Sequence, residues 1–205
     1  GVGLVGSEMC IRDRTSSEGI GGFIEEISER EDHLDILINN AGAAWTAPFD
    51  DFPESGWDKV MNINVKSVFF LTQRLAPLLR FGASQEQPSK VINIASIDGL
   101  RTPRLETYSY VASKAGLIGM TGLMAKRLIR DNIIVNGIAP GAFSSDMNIT
   151  ARDEPDRIAS IIPAQRIGRP DDIAGTAVYM CSRAGDYLLG TTIAVDGGLV
   201  YARTD

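Results

Sequence analysis

Along this chain, short runs of consecutive apolar residues alternate with longer stretches in which apolar side chains recur every three or four positions. The runs are LDILINN (34–40), VINIAS (91–96), IIVNGIAP (133–140) and TTIAVDGG (191–198), and the helical periods lie near 54–80, 107–130 and 170–183. A strand that is apolar throughout is one buried on both faces, and strands separated by helices of this length predict a parallel sheet covered on both sides. The expected class is therefore α/β, a doubly wound parallel sheet. Three of the runs lead into polar or glycine-rich turns: NNAG, ASIDG and APGAF. In open parallel sheets the ligand lies outside the carboxyl ends of the strands, so these turns should converge on one crevice.

Within the period near 54–80, Trp57, Met61, Asn64, Val68, Leu71 and Leu75 fall at alternating steps of four and three, a single helix face. Asn64 interrupts that apolar stripe. A buried amide in mid-helix must find partners or cost about 1–3 kcal/mol, so it is either satisfied structurally or holds a neighbour for a purpose. The next helix carries Tyr110 and Lys114 four positions apart and hence side by side. An ammonium beside a phenol favours phenolate, which suits a tyrosine that exchanges protons with an alcohol or a carbonyl. The pair is common on solvated helix faces. Its weight comes from Ser96, at the carboxyl end of the preceding strand, whose hydroxyl is placed to bond the same oxygen.

Composition narrows the classes. The chain has 205 residues, 44% hydrophobic, and a formal net charge of −6. It carries no Lys/Arg block, which argues against nucleic acid and against anionic membrane as partners. Cys10 and Cys181 are far apart with no ligand-spaced neighbour, so neither a disulfide framework nor a metal site is expected. No run reaches the length of a membrane span and no signal-peptide pattern opens the chain, so the expected location is intracellular, in the cytoplasm. EEISERED (25–32) reads as a solvated helix face, His33 as a surface residue, Trp45 and Trp57 as packing residues, and Cys181, Met120 and Met124 as core or subunit-interface filler.

Taken together, Asn39-Asn40-Ala41-Gly42, Asn64 within MNINVKSVFF, Ser96 within VINIASIDG, Tyr110-Val-Ala-Ser-Lys114 and Pro140-Gly141 within VNGIAPGAF resemble the short-chain dehydrogenase/reductase family. The resemblance runs over about residues 16–200, to the closing AVDGG. It implies a Rossmann-like fold and an NAD(P)-dependent oxidoreductase that interconverts a secondary alcohol and a ketone. A 3-oxoacyl reductase-like or gluconate dehydrogenase-like relative is the closer analogy. It also implies roles. Tyr110 is the acid/base, Lys114 lowers its pKa and bonds the nicotinamide ribose, Ser96 orients the substrate oxygen, and Asn64 holds a water that relays protons from Lys114. Asn40, Ala41 and Gly42 lie along the adenosine side of NAD or NADP. Pro140, Gly141, Phe143 and Ser145 meet its nicotinamide end, with selectivity set in the loop after Phe143. A small-molecule alcohol or ketone is the expected partner, and a homodimer or homotetramer through helices like 54–80 and 107–130 the expected assembly. The intact Asn64, Ser96, Tyr110 and Lys114 set argues against a catalytically silent dinucleotide sensor or scaffold on the same fold.

The family opens with a β-α-β-α-β segment and a glycine-rich phosphate turn that this sequence does not show. Gly1, Gly3 and Gly6 match G-x-G-x-x-G, but with no strand before them and no helical period after them. Residues 1–15 therefore read as an artefactual or disordered leader, GVGLVGSEMCIRDR resembling a translated sequencing adapter, and 16–205 as a partial dinucleotide-binding domain. On that expectation LDILINN has an unpaired apolar edge and the pyrophosphate lacks its helix N-terminus, so the chain binds cofactor poorly, is inactive by itself and tends to aggregate. Isothermal titration with NADH and NADPH checks this, and low-micromolar binding of either overturns it.

Overall fold

The structure, a computed structural model, describes residues 17–202; the proposed leader lies outside them. Four strands form one parallel sheet in the order β1 (Ile36–Asn39), β2 (Ser89–Ile94), β3 (Ile133–Pro140) and β4 (Thr192–Val195). Around them run α1 (Ser17–Arg30), α2 (Glu54–Met61), α3 (Ser67–Phe81), α4 (Tyr108–Leu128), α5 (Ile149–Asp153), α6 (Pro155–Ala159) and α7 (Pro170–Cys181). A π-helical turn, Asn62–Lys66, joins α2 to α3 without a break, so the period expected near 54–80 is one continuous rod.

The apolar runs are strands because both faces are covered. On one face Val91, Ile133 and Val135 pack against Leu79 of α3 and Met124, Ala125 and Leu128 of α4. On the other, Ile92 and Ile138 pack against Met180 of α7. Every residue of β3 from Ile133 to Ala139 is buried. This is the doubly wound, Rossmann-like α/β fold that the pattern predicts.

β1 differs. Its Leu37 is covered by α1 and α3, where Ile20, Phe23, Leu71 and Leu75 form a cluster, whereas Ile36 and Ile38 are 46% and 39% exposed. Among the described residues it pairs with β2 alone, which leaves the apolar edge expected for LDILINN. One expectation needs correction. Trp57 begins the predicted stripe but is 41% exposed, stacked edge-on to Phe52, while Gly56 and Val60 carry the buried face of α2. The helix carrying EEISERED runs from Ser17 to Arg30 with Glu25, Ser28, Glu29 and Arg30 exposed, the solvated face read from the sequence, and Ile20, Phe23, Ile24 and Ile27 bury its other face on α3. His33 is exposed beside Asp35, Cys181 is half-buried against the Met180 cluster, and Met124 is in the core, as read from the sequence.

Candidate active site

The strand ends bring the predicted residues together. Asn64 is fully buried in the π turn, a local widening of the helix. Its Oδ1 accepts the Ala43 N–H at 2.8 Å, while its Nδ2 donates to the Ala43 carbonyl at 2.9 Å and to Ser113 Oγ at 2.9 Å. Ser113 Oγ in turn donates to the Tyr110 carbonyl at 2.8 Å. One amide thereby clips the segment after NNAG to the first turn of α4, which carries Tyr110. Gly42 lies directly over the clip: a Cβ there would stand 3.5 Å from Asn64 Oδ1 and 3.6 Å from Lys114 Nζ. A second buried amide ladder supports the same turn from below, Asn39 donating to Asn93 at 2.8 Å and to Thr72 at 3.1 Å.

Ser96 is buried just past the end of β2, and its Oγ accepts the Asp98 N–H at 3.2 Å, capping a single 3-10 turn over Ile97–Gly99. Tyr110 sits in the first turn of α4, half-buried. Burial pushes its phenol above the usual value; hydrogen bonding with the Ser96 hydroxyl pulls it down, and the Asp98 carboxylate adds a smaller upward push. The net direction is opposite to the lowering expected from Lys114, because desolvation wins. Lys114 lies one turn on, 4% exposed, with Nζ 5.6 Å from the centre of the Tyr110 ring and donating to the Ile94 carbonyl at 2.7 Å. Burial lowers its ammonium to about 8.

That shift has a sign that can be tested. A lysine whose folded pKa is depressed from 10.5 to about 8 penalises the folded state fully below pH 8. The penalty fades as pH rises through that window, because the unfolded chain then holds more protons than the folded one. Lys114→Met is therefore expected to stabilise the fold at pH 7 by about 1–3 kcal/mol, after the lost bond to Ile94 is counted. The gain should shrink between pH 8 and 10, as read from denaturant midpoints. A variant less stable than the parent across the whole range would contradict the account.

The third turn is arranged differently. Gly141 at the end of β3 packs against Asp196, where a Cβ would come within 2.7 Å, and its N–H bonds the Val195 carbonyl at 2.9 Å. The Phe143 ring packs against Gly168, leaving no room for a Cβ there. Ser145 is exposed, its Oγ accepting the Asn148 N–H at 3.1 Å. The segment that follows, where selectivity is expected, forms α5 and α6, and the Met147 methyl reaches within 3.9 Å of a Cβ at Gly42. Asn64, Ser96, Tyr110, Lys114 and Gly42 thus converge, while Phe143 and Ser145 make local contacts of their own. A cavity of about 260 Å³ is lined by Phe143, Arg166, Gly168, Asp172 and Asp196, away from Tyr110 and Lys114. Its charges are already matched, Arg166 with Asp172 at 2.7 Å and Asp196 with the N–H groups of Gly198 and Val200. Sequence reasoning missed Ala43 and Ser113, which act through backbone and a short hydroxyl, and missed Asp98, whose carboxylate pushes the Tyr110 phenol upward and whose signal was charge inside the loop between Ser96 and Tyr110.

Two hydroxyls, one held by a turn and one by a helix, with an ammonium behind the second, are equipped to bind and protonate one oxygen atom. Among the described residues no group of His, Cys, Asp and Glu is placed to hold a metal, and no helix is long and apolar enough to cross a membrane.

Known proteins match this chain over most of its length. The family model described as enoyl-(acyl carrier protein) reductase matches residues 4–200. The rhamnolipids biosynthesis 3-oxoacyl-(acyl-carrier-protein) reductase of Pseudomonas aeruginosa is 41% identical over 189 residues, spanning 91% of this chain and 74% of that protein. The 2-dehydro-3-deoxy-D-gluconate 5-dehydrogenase of Escherichia coli is 42% identical over 193 residues, 91% of this chain and 73% of that protein. Among solved structures, the Pseudomonas aeruginosa RhlG/NADP active-site complex superposes with a TM-score of 0.88 at 41% identity, over 92% of this chain and 75% of that one.

Proposed function

Because the chain belongs to the short-chain dehydrogenase/reductase family, we propose that it forms the catalytic part of an NAD(P)-dependent oxidoreductase interconverting a secondary alcohol and a ketone at Tyr110. The observation that carries the reading is the joint placement of Ser96, Tyr110 and Lys114 at the carboxyl end of the sheet. The substrate class this supports is that of the relatives, a 3-oxoacyl thioester or a sugar acid.

The donor set fits the nicotinamide half of a dinucleotide. Lys114 Nζ has one bond, to Ile94, and further hydrogens to offer ribose hydroxyls. Gly42 keeps the approach above it free of side chain. Asn40 and Ala41 extend that turn towards the adenosine side, and Pro140, Gly141, Phe143 and Ser145 would supply backbone and hydroxyl at the nicotinamide end. The bound nicotinamide supplies or accepts the hydride. In reduction the Tyr110 phenol, kept protonated by burial, gives its proton to the ketone oxygen, and Ser96 holds that oxygen with a hydrogen bond. In oxidation both transfers run backwards. Lys114 stabilises the phenolate left on Tyr110. Both amide hydrogens of Asn64 are committed, so a relay water at this residue meets Oδ1 or the backbone, as a donor.

A homodimer or homotetramer accords with the apolar side chains that α3 and α4 present to solvent, Phe69 at 38%, Phe81 at 77% and Leu123 at 68% exposure. The deciding test follows NADH and NADPH absorbance with 3-oxoacyl thioesters and oxo sugar acids, on the chain and on the chain extended by the upstream segment the resemblance calls for, with light scattering for the assembly. Folded, cofactor-bound protein that turns over no ketone or alcohol in either form rejects the reading.

A further inference from the structure

The loop between Ser96 and Tyr110 holds a cation that hydride and proton transfer at Tyr110 leave unused. The loop is pinned to the reacting turn of α4. At Gly99 a Cβ would come within 2.7 Å of the Lys114 carbonyl carbon and 2.8 Å of the Ala115 nitrogen, and the Arg101 N–H bonds the Ile97 carbonyl at 2.9 Å. Arg101 is half-buried and its Nε is buried without an acceptor. Among the described residues its guanidinium makes no hydrogen bond and no salt bridge. Asp98 feels its charge but does not pair with it.

Buried donors are nearly always satisfied, and one that is not calls for a missing acceptor. A guanidinium presents a flat fork of N–H groups that matches a carboxylate better than any other side chain does. The location points the same way, because the chain as a whole carries a net charge of −6 and its general field repels anions. A half-buried cation three residues past Asp98, on the loop that begins at Ser96, is a local exception to that field.

We propose that Arg101 is a specificity-determining residue that binds a carboxylate of the substrate, so that the enzyme prefers oxo acids and hydroxy acids to their neutral counterparts, a role that rests on the oxidoreductase function proposed for Tyr110. The guanidinium anchors the acid end while Ser96 and Tyr110 hold the ketone oxygen, and the reach of the loop sets how many carbons separate them.

The test uses 3-oxobutanoate, 4-oxopentanoate and 5-oxohexanoate with their methyl esters, which differ only in the charge. Dissociation constants come from isothermal titration on the full chain, and KM and kcat from NADPH consumption wherever turnover is seen. At least one acid is expected to bind about 10- to 100-fold more tightly than its ester. Arg101→Met should erase that ratio through the acid alone, with ester binding and kcat little changed, and Arg101→Lys should keep much of it. Circular dichroism and melting of each variant separate lost folding from lost recognition. Equal binding of acid and ester by the parent overturns the proposal, as does a ratio that survives in Arg101→Met. If acids bind in an Arg101-dependent way yet nothing is turned over, the anion site stands and the oxidoreductase reading falls; turnover with a flat ratio has the reverse meaning.

Discussion

Tyr110→Phe is expected to lower kcat for ketone reduction by about 10²–10⁴-fold, the usual worth of a positioned general acid, with little change in the KM for the nicotinamide cofactor. The change removes one oxygen and leaves the ring, so the packing beside Lys114, 5.6 Å from the ring centre, is retained. Ser96→Ala should cost less, about 10–100-fold, because it removes a hydrogen bond to the reacting oxygen and leaves the proton donor in place. Burial holds the phenol above its ordinary value, so the donor stays loaded throughout the neutral range and the reductive direction should not require acidic conditions. The readout is NADPH absorbance under saturating cofactor, together with cofactor affinity by fluorescence. Unchanged turnover in Tyr110→Phe would falsify the acid role and with it the proposed activity.

Much of this site is legible in the sequence because the chemistry demands residue types at fixed offsets on elements that the hydrophobic pattern locates. Tyr110 and Lys114 share a face because a helix brings positions four apart together. Ser96 sits beside them because parallel strands deliver their carboxyl ends to one crevice. The pattern also set Asn64 apart as the polar break in an apolar stripe, and the structure shows why the break is tolerated. The purpose of that break was not legible, since its partners are the Ala43 backbone and a serine that looks like surface in a one-dimensional reading.

Periodicity misleads where the core stops. Trp57 keeps perfect step with Met61 and Asn64, yet spacing reports a face and not how far along the rod that face remains covered. The short helices α5 and α6, five residues each, lie below the length at which a period can be recognised. The direction of the Tyr110 shift was hidden for a related reason: the lysine is visible in the sequence, the desolvation that outweighs it is a property of the packed molecule.

The largest stability change should come from Asn64→Ala, about 2–4 kcal/mol. The side chain is wholly buried, and truncation leaves the N–H and carbonyl of Ala43 without partners and takes a donor from Ser113. Each stranded backbone group costs about 1–3 kcal/mol where water cannot reach it, and Ala43 is only partly covered, which keeps the sum below its maximum. Asn64→Asp separates the contributions. It still accepts from the Ala43 N–H but cannot donate to the Ala43 carbonyl or to Ser113, and it buries a carboxylate whose second oxygen faces the Ala43 carbonyl oxygen, an arrangement that favours the protonated form. The two variants should therefore fall together in stability at neutral pH, while only Asn64→Asp recovers as the carboxyl is protonated in mild acid. Urea unfolding at pH 5 and pH 7 reads this difference. The functional consequence comes from geometry: releasing the NNAG turn from α4 loosens Gly42 above Lys114, so cofactor KM should rise several-fold more than substrate KM. A variant that unfolds at the parental denaturant midpoint would mean that the Ala43 backbone has other partners, and that the π turn at 62–66 is not maintained by this clip.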